Sequence, residues 1–193
     1  NPEPEVVLAV DSKGRIRGAC LGNDVNLRDV EGRSALLLGK AKDNNASAAI
    51  GPMIRVFDNT FSLDDVRRAE LTMTVEGTDG FRLTGRSSMA EMSRDPADLV
   101  AQTRGRHHQY PDGFMLYCGT MFAPVQDRDG PGQGFTHHKG EMAKASSRHL
   151  GIAGVLPLSA PRAAPSARHS DSSILPAADP AAIAAAARDC SGC

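Results

Sequence analysis

The chain contains no tryptophan, aromatic residues make up only 4% of it, and there is no excess of either charge: 22 Lys and Arg stand against 23 Asp and Glu. No basic run interleaved with aromatics follows the pattern of a nucleic-acid-binding face, so a nucleic-acid partner is not expected. No apolar stretch approaches the ~20 residues that cross a bilayer, and the start has no charged segment followed by an apolar core. A membrane partner is therefore not expected either, and the expected location, by elimination, is cytoplasmic. Cysteine is scarce. Cys20 and Cys118 lie in apolar strand-like runs and Cys190 and Cys193 form one terminal CxxC. A zinc site would want two such pairs or added histidines, so the cysteines read as structural. An initiator methionine is also missing: the chain opens Asn1-Pro2-Glu3 and enters a strand-like segment at once, which reads as a piece of something longer, truncated at its N-terminus.

What is present is mostly strand. Glu5 to Val10 is apolar and β-branched, Asp11-Ser12-Lys13-Gly14 has turn chemistry, and Ile16 to Gly22 is apolar again, which predicts a hairpin. Further strands are expected over Ile50 to Val56, Glu70 to Glu76, Phe81 to Gly85 and Phe114 to Gly119. Two short helices are expected. One starts at Ser62 with Asp65 three residues on; the other has an Asp95 cap, Pro96 at the first helical position and an acidic first turn. A mixed, β-dominated α/β fold follows, and a doubly wound nucleotide-binding sheet, which needs strands alternating with long helices, is excluded. After about Gly151 the texture changes: of the 37 residues from Pro157 to Cys193, 12 are Ala, 5 Pro and 6 Ser. Such a segment has little bulk to bury. The reading is one domain over 1–150 and a disordered tail over 151–193, with at most a short helix at Ala181 to Arg188.

The chemistry-bearing residues begin with Glu3 and Glu5, whose spacing of two puts both carboxylates on one face of a strand. Asp29/Glu31 and Asp127/Asp129 share that spacing, so the pair alone means little. Asp24 strengthens it, because the hairpin can fold Asp24 back toward the first strand. Three carboxylates gathered there repel one another unless a cation neutralises them, and all-oxygen ligation suits Mg²⁺ or Mn²⁺. The alternative is three solvated acids at a rim.

The string Glu3-Pro4-Glu5, then Gly22-Asn23-Asp24-Val25 with Arg28-Asp29, then Lys42 with Gly51-Pro52 nine and ten residues on, then Gly119-Thr120, resembles the ordered motif set of the fumarylacetoacetate hydrolase family. The resemblance runs over roughly residues 1 to 140. It implies the catalytic β-roll of that family, here incomplete, in a protein that forms homodimers and acts on 2-oxo acids by C–C hydrolysis, decarboxylation, isomerisation or sugar-acid dehydration. It further implies that Glu3, Glu5 and Asp24 hold the divalent metal with Lys42 beside it, that Arg28 contacts the bound 2-oxo acid, and that Thr120 lines the pocket. A lysine there could have its pKa lowered enough to move protons. Against these roles, Lys42 has a neighbour in Lys40 and could be a surface group, Arg28 could pair with Glu31 or Asp24, and Thr120 could simply end a strand.

Glu31 stands seven residues after Asp24, where hydrolase members resemble one another in carrying glutamine. A glutamate followed by Gly32 looks more like the members that dehydrate 2-keto-3-deoxy sugar acids, and a carboxylate can take a proton where an amide cannot. The alternative is that Glu31 only pairs with Arg28 or Arg33. Two departures from the family pattern stand out. The upstream histidine and glutamate that activate water in the hydrolases have no counterpart, since His107, His108, His137 and His138 lie in polar loops and read as surface residues. The closing strand, which begins in register at Gly140-Glu141-Met142, fades over Ser146 to Gly151. The Asp129-Gly130-Pro131-Gly132-Gln133-Gly134 run follows no strand–turn–helix pattern and reads as a mobile pocket loop rather than a phosphate cradle. The expected activity is a metal-dependent hydrolase or lyase leaning to dehydration of a 2-keto-3-deoxy sugar acid. The competing readings are an acylpyruvate-type C–C hydrolase and a truncated remnant that binds a metal or a partner without turnover.

Overall fold

The turn Asp11–Arg15 joins two strands. The Asp11 carboxylate accepts from the backbone N–H groups of Lys13 and Arg15 at 2.9 and 3.0 Å, which closes the loop between Pro4–Val10 (β1) and Ile16–Asp24 (β2). In this computed structural model, which describes residues 1–45, 47–122 and 124–157, the hairpin is the centre of the first sheet. β2 also pairs with Ala48–Ile50 (β3) and Arg55–Val56 (β4), and β1 pairs on its other edge with Phe114–Tyr117 (β7). Every pairing is antiparallel, in the order β3-β2-β1-β7. A second antiparallel sheet runs β6-β5-β8-β9, from Glu70–Glu76 (β5), Arg82–Ser88 (β6), Met142–Ser147 (β8) and Gly151–Pro157 (β9).

The larger core gathers Val6, Leu8 and Val10 of β1 with Ala19 and Leu21 of β2, Phe61, Val66 and Leu71. Val6, Val7 and Leu8 are all fully buried. Each contributes about 1.5–3 kcal/mol, which offsets the cost of carrying a glutamate, Glu5, inside the same strand. A second cluster joins Met73, Val75, Leu83, Phe135 and Ala143, with Phe81 and Phe122 against it. Gly85 is required there: a Cβ would lie 2.2 Å from the Phe122 ring.

Both expected helices form. Leu63–Arg67 (α3) opens on the Ser62/Asp65 capping box, and Pro96–Thr103 (α4) opens on Asp95, whose carboxylate accepts from the Ala97 N–H at 2.8 Å. Two further single-turn helices, Arg28–Glu31 (α1) and Leu38–Ala41 (α2), were not expected. They are four residues each and lack a polar N-cap bond, so they carry no start signal.

Three expectations change. The strand expected over Ile50–Val56 is two short pieces, because Pro52 cannot donate to a ladder and Gly51 instead donates to Leu21 at 2.8 Å. The strand expected from Phe81 begins one residue later and runs on to Ser88, since Phe81 closes the turn by accepting from Gly77 while β6 pairs with β5 along its whole length. The chain also does not lose its order at residue 150. Gly151–Pro157 pairs with β8, from Ser147↔Gly151 to Met142↔Pro157, so the closing strand is present and the boundary drawn at 150 falls inside the sheet. Ile152, Val155 and Leu156 belong to the apolar stretch before the Ala/Pro/Ser composition sets in. The rest of the expected tail, including the helix expected at Ala181 to Arg188 and the CxxC of Cys190 and Cys193, lies outside the described residues. Among those described, no helix is long and apolar enough to cross a membrane.

Candidate metal centre

Alternation in β1 sends Val6 and Leu8 to the core and turns Glu3, Glu5 and Val7 to the opposite face. Antiparallel register then sets Gly22 across from Glu5 and brings Asp24 beside Glu3, where the Asp24 N–H donates to the Glu3 carbonyl at 3.0 Å. At Gly22 a Cβ would meet Val7, Ala49 and Tyr117 at under 3.0 Å, so glycine is what lets the strands close around the acids. One carboxylate oxygen from each of Glu3, Glu5 and Asp24 lies within 4.8 Å of the others. The three acids therefore gather as the hairpin argument requires and are not scattered along a rim.

The other residues singled out in the sequence converge on them. Lys42 follows α2 and places Nζ 2.6 Å from Glu3 Oε2 and 2.9 Å from Asp24 Oδ2, whereas Lys40 pairs at the surface with Asp43. After β7, Gly119 takes φ +103°, and its N–H donates to Glu5 Oε2 at 2.8 Å. Thr120 Oγ1 then donates to Glu3 Oε2 at 3.0 Å. Glu31 has a partner that sequence reasoning did not foresee: the Asn26 amide Nδ2 donates both to Glu31 Oε2 and, at 2.6 Å, to Glu3 Oε1, and so ties Glu31 to the cluster. Asn26 is buried and its Oδ1 has no partner among the described residues.

Positive charge is in short supply here. Burial pushes the Glu5 carboxyl up to about 7, opposed by the Gly119 N–H and reinforced by the charges of Asp24 and Glu3. Burial acts in the same direction on Glu3, but the hydrogen bonds from Lys42, Asn26 and Thr120 outweigh it and hold its pKa below the ordinary value. Lys42 is raised: burial would lower it, and its bonds to Glu3 and Asp24 reverse that. The expectation of a lowered lysine is corrected accordingly, because two carboxylates sit on the ammonium. One lysine against three carboxylates, one of them pushed up to about 7 by burial, is a donor set that fits a hard divalent cation. Cys118 lies behind the site; burial, with the Glu5 charge adding to it, pushes its thiol up to about 12, as for a structural cysteine.

Arg28 is exposed and lines a small pocket with Glu3, Thr120, Phe122, Phe135 and His137. Arg28 thus shares this pocket with Glu3 and Thr120. His137 corrects the surface reading of the histidines. Its side chain is 4% exposed, and Nδ1 lies 2.8 Å from Glu141 Oε2. Glu141, 1% exposed, is also 2.6 Å from Arg128, which stacks over Phe81 at 3.5 Å. Burial lowers the His137 pKa against the raising effect of Glu141. The signal available in the sequence was the alternation of Phe135 and His137 leading into β8, with Glu141 four residues on. His107, His108 and His138 are all exposed, with Asp129 2.9 Å from His138. The glycine-rich loop is closed by Asp127, whose carboxylate accepts from Gly132 and Gly134, each at 2.8 Å.

No family model matches the chain. It is 30% identical over 128 residues to the Probable 2-keto-3-deoxyxylonate dehydratase of Haloferax volcanii, covering 66% of this chain and 43% of that protein. It is 33% identical over 130 residues to the 2-dehydro-3-deoxy-D-arabinonate dehydratase of Saccharolobus solfataricus, covering 66% of this chain and 41% of that one. The chain thus spans about two fifths of the length of these curated relatives. Among solved structures, a 2-keto-3-deoxy-D-arabinonate dehydratase complexed with magnesium and 2,5-dioxopentanoate matches with TM-score 0.65 at 24% identity, over 82% of this chain and 52% of that one. A fumarylacetoacetate hydrolase from psychrophilic Exiguobacterium antarcticum matches with TM-score 0.60 at 18% identity, over 82% and 56%. These structural likenesses establish the fold, a strand-dominated roll of which the chain covers part.

Proposed function

We propose, for a chain that belongs to the fumarylacetoacetate hydrolase family, that it is the metal-binding part of a lyase that removes water from a 2-keto-3-deoxy sugar acid. The observation that carries the reading is the convergence of Glu3, Glu5 and Asp24 within 4.8 Å, with Lys42 against two of them and Glu31 joined through Asn26. Two relatives at 30% and 33% identity are dehydratases of such acids, which favours elimination over C–C hydrolysis.

Glu3, Glu5 and Asp24 would hold Mg²⁺, or Mn²⁺, which when bound supplies positive charge to the keto and carboxylate oxygens of the substrate. Lys42, charged in this setting, adds a second positive group at the same oxygens. Arg28 at the pocket mouth suits the acid end of the substrate, and Thr120 aligns Glu3 and Glu5 from the far side. Glu31 can accept a hydrogen bond from a sugar hydroxyl or take a proton, in a way that a glutamine cannot. The catalytic domain is then the described part of the chain. The exposed Leu36, Met53, Ile54 and Val56 would suit a homodimer contact, and the setting is cytoplasmic.

The test is calorimetric titration of the full chain with Mg²⁺ and Mn²⁺, followed by assay of 2-keto-3-deoxyarabinonate beside an acylpyruvate. Assays of the chain and of a version extended at its N-terminus separate a catalytic part from one that only binds metal. Binding abolished by Asp24→Asn, with turnover of the sugar acid lost on Glu31→Gln, is the expected result. Turnover of the acylpyruvate alone, indifferent to Glu31→Gln, would overturn the dehydratase reading.

A further inference from the structure

We infer that His137, oriented by Glu141, is a proton-transfer residue of the pocket that holds Glu3, Arg28 and Thr120; the inference rests on the reading that this pocket receives a 3-deoxy-2-oxo acid. With Glu141 Oε2 2.8 Å from Nδ1, the neutral ring keeps its proton on Nδ1. Nε2 then carries the free lone pair, with no hydrogen bond to it among the described residues, and His137 is one of the residues that line the pocket.

The orienting carboxylate is itself fixed. Arg128, 3% exposed, lies 2.6 Å from Glu141 and 2.9 Å from Asp79 and covers the Phe81 ring, and Phe135 sets its ring edge-on to the imidazole at 4.7 Å. A base held by a third group, in turn held by a fourth, is the arrangement general-base catalysis uses. A histidine present only to fill the core could be an apolar residue, without the desolvation cost of the ions around it. The charged groups facing the ring are Glu141 and Arg128, the Asn1 amino group whose residue also accepts the His137 N–H, and Glu3 and Arg28 across the pocket. Burial lowers the imidazole and favours its neutral form at neutral pH.

The step balances. Nε2 takes a proton from carbon 3 of the substrate, and the C–H electron pair forms the C2–C3 double bond of an enolate with the charge on the C2 oxygen. That pair then returns to form C3=C4 and expels the carbon-4 hydroxyl, which leaves as water with the proton from Nε2. His137 ends neutral, and nothing is oxidised or reduced.

The test has two arms on the full chain. In the first, long-range ¹H–¹⁵N correlation on histidine-labelled protein reads the His137 tautomer, then follows Nε2 as Mg²⁺ and pyruvate are added. Protonation at Nδ1 with an Nε2 resonance that moves only when pyruvate joins Mg²⁺ is expected. Protonation at Nε2, or a resonance blind to pyruvate, would overturn the proposal. In the second, His137→Gln is expected to lower kcat for the sugar acid by on the order of 10²–10⁴ and to remove a limb of its pH profile, while Mg²⁺ affinity is retained. Unchanged kcat, or loss of Mg²⁺ affinity, would assign His137 a structural role. If the wild-type chain binds no Mg²⁺, the function proposed above falls and takes this inference with it; Mg²⁺ binding with a silent His137 sinks the inference alone.

Discussion

Two buried glutamates lie close to the same pocket and are treated in opposite ways. Glu141 is 1% exposed and has its own cation in Arg128 at 2.6 Å, with His137 on its other oxygen. Glu5 is 2% exposed and, among the described residues, its carboxylate accepts from a backbone N–H and a threonine hydroxyl, while the nearby Lys42 bonds to Glu3 and Asp24. A carboxylate with a resident counter-ion is part of the architecture. One buried without a counter-ion is a place where the fold leaves charge to be supplied from outside, which is why the Glu5 side reads as a binding site and the Glu141 side as its support.

The comparison breaks most visibly at Arg128. Removing one member of a buried pair leaves the other charge uncompensated, a loss of about 3–5 kcal/mol. Arg128→Ala or Glu141→Ala should show it in urea unfolding, and Arg128→Met combined with Glu141→Leu should recover most of it. A loss no larger than that of a surface pair would mean that the cluster is hydrated and that the contrast with Glu5 is false.

Next in size is the response to pH with metal chelated. The folded-state pKa of Glu5 is raised from 4.5 to about 7, so its contribution to stability is fully present below 4.5 and is lost as pH rises through 7. The loss accumulates at about 1.4 kcal/mol per pH unit, on the order of 3 kcal/mol in all. His137, lowered from 6.5, acts oppositely, costing stability as pH falls. The Glu5 contribution is therefore read as the difference between wild type and Glu5→Gln. Parallel pH profiles for the two would show that Glu5 ionises freely and that the cluster lacks no charge. Saturating Mg²⁺ should act in the same size range, adding about 2.7 kcal/mol at a hundred times Kd, and Asp24→Asn should abolish the increment. A thermal midpoint that Mg²⁺ leaves unmoved would put the charge deficit outside metal chemistry.

The sequence made the Glu5 region legible and hid the Glu141 region. The Glu3/Glu5 alternation and the turn at Asp11 are local, and a hairpin converts them directly into a three-dimensional cluster with Asp24. Lys42 and Thr120 were reachable only through the resemblance, since their approach depends on α2 and on the Gly119 turn, which no periodicity announces. Asn26 was missed because its role is a bridge between two acids distant in sequence. His137 was read as a surface residue because its loop is polar, yet Phe135 sets its ring edge-on to the imidazole and Glu141, itself held by Arg128, pairs with Nδ1. The closing strand was lost to view because β8 is small and polar, MAKASS, and only its pairing with β5 and β9 marks it as a strand.

The smallest effect expected, and the control for the others, lies at the surface. Arg67 grips Asp95 through Nε and a terminal nitrogen, 2.6 and 3.0 Å from the two carboxylate oxygens, a geometry at least as good as that of Arg128 on Glu141. Here, however, water competes: the two side chains are 37% and 44% exposed. Asp95 also caps α4 through the Ala97 N–H, so its two roles need separate substitutions. Asp95→Asn keeps an oxygen for the cap and removes the charge, and it should leave the unfolding midpoint almost where it was, with little dependence on salt. Asp95→Ala removes the cap as well and should lower the midpoint measurably, though less than either substitution in the Arg128 cluster. If Asp95→Asn proves as costly as Glu141→Ala, then hydrogen-bond geometry rather than burial sets the worth of these pairs, and the distinction drawn between Glu141 and Glu5 loses its physical basis.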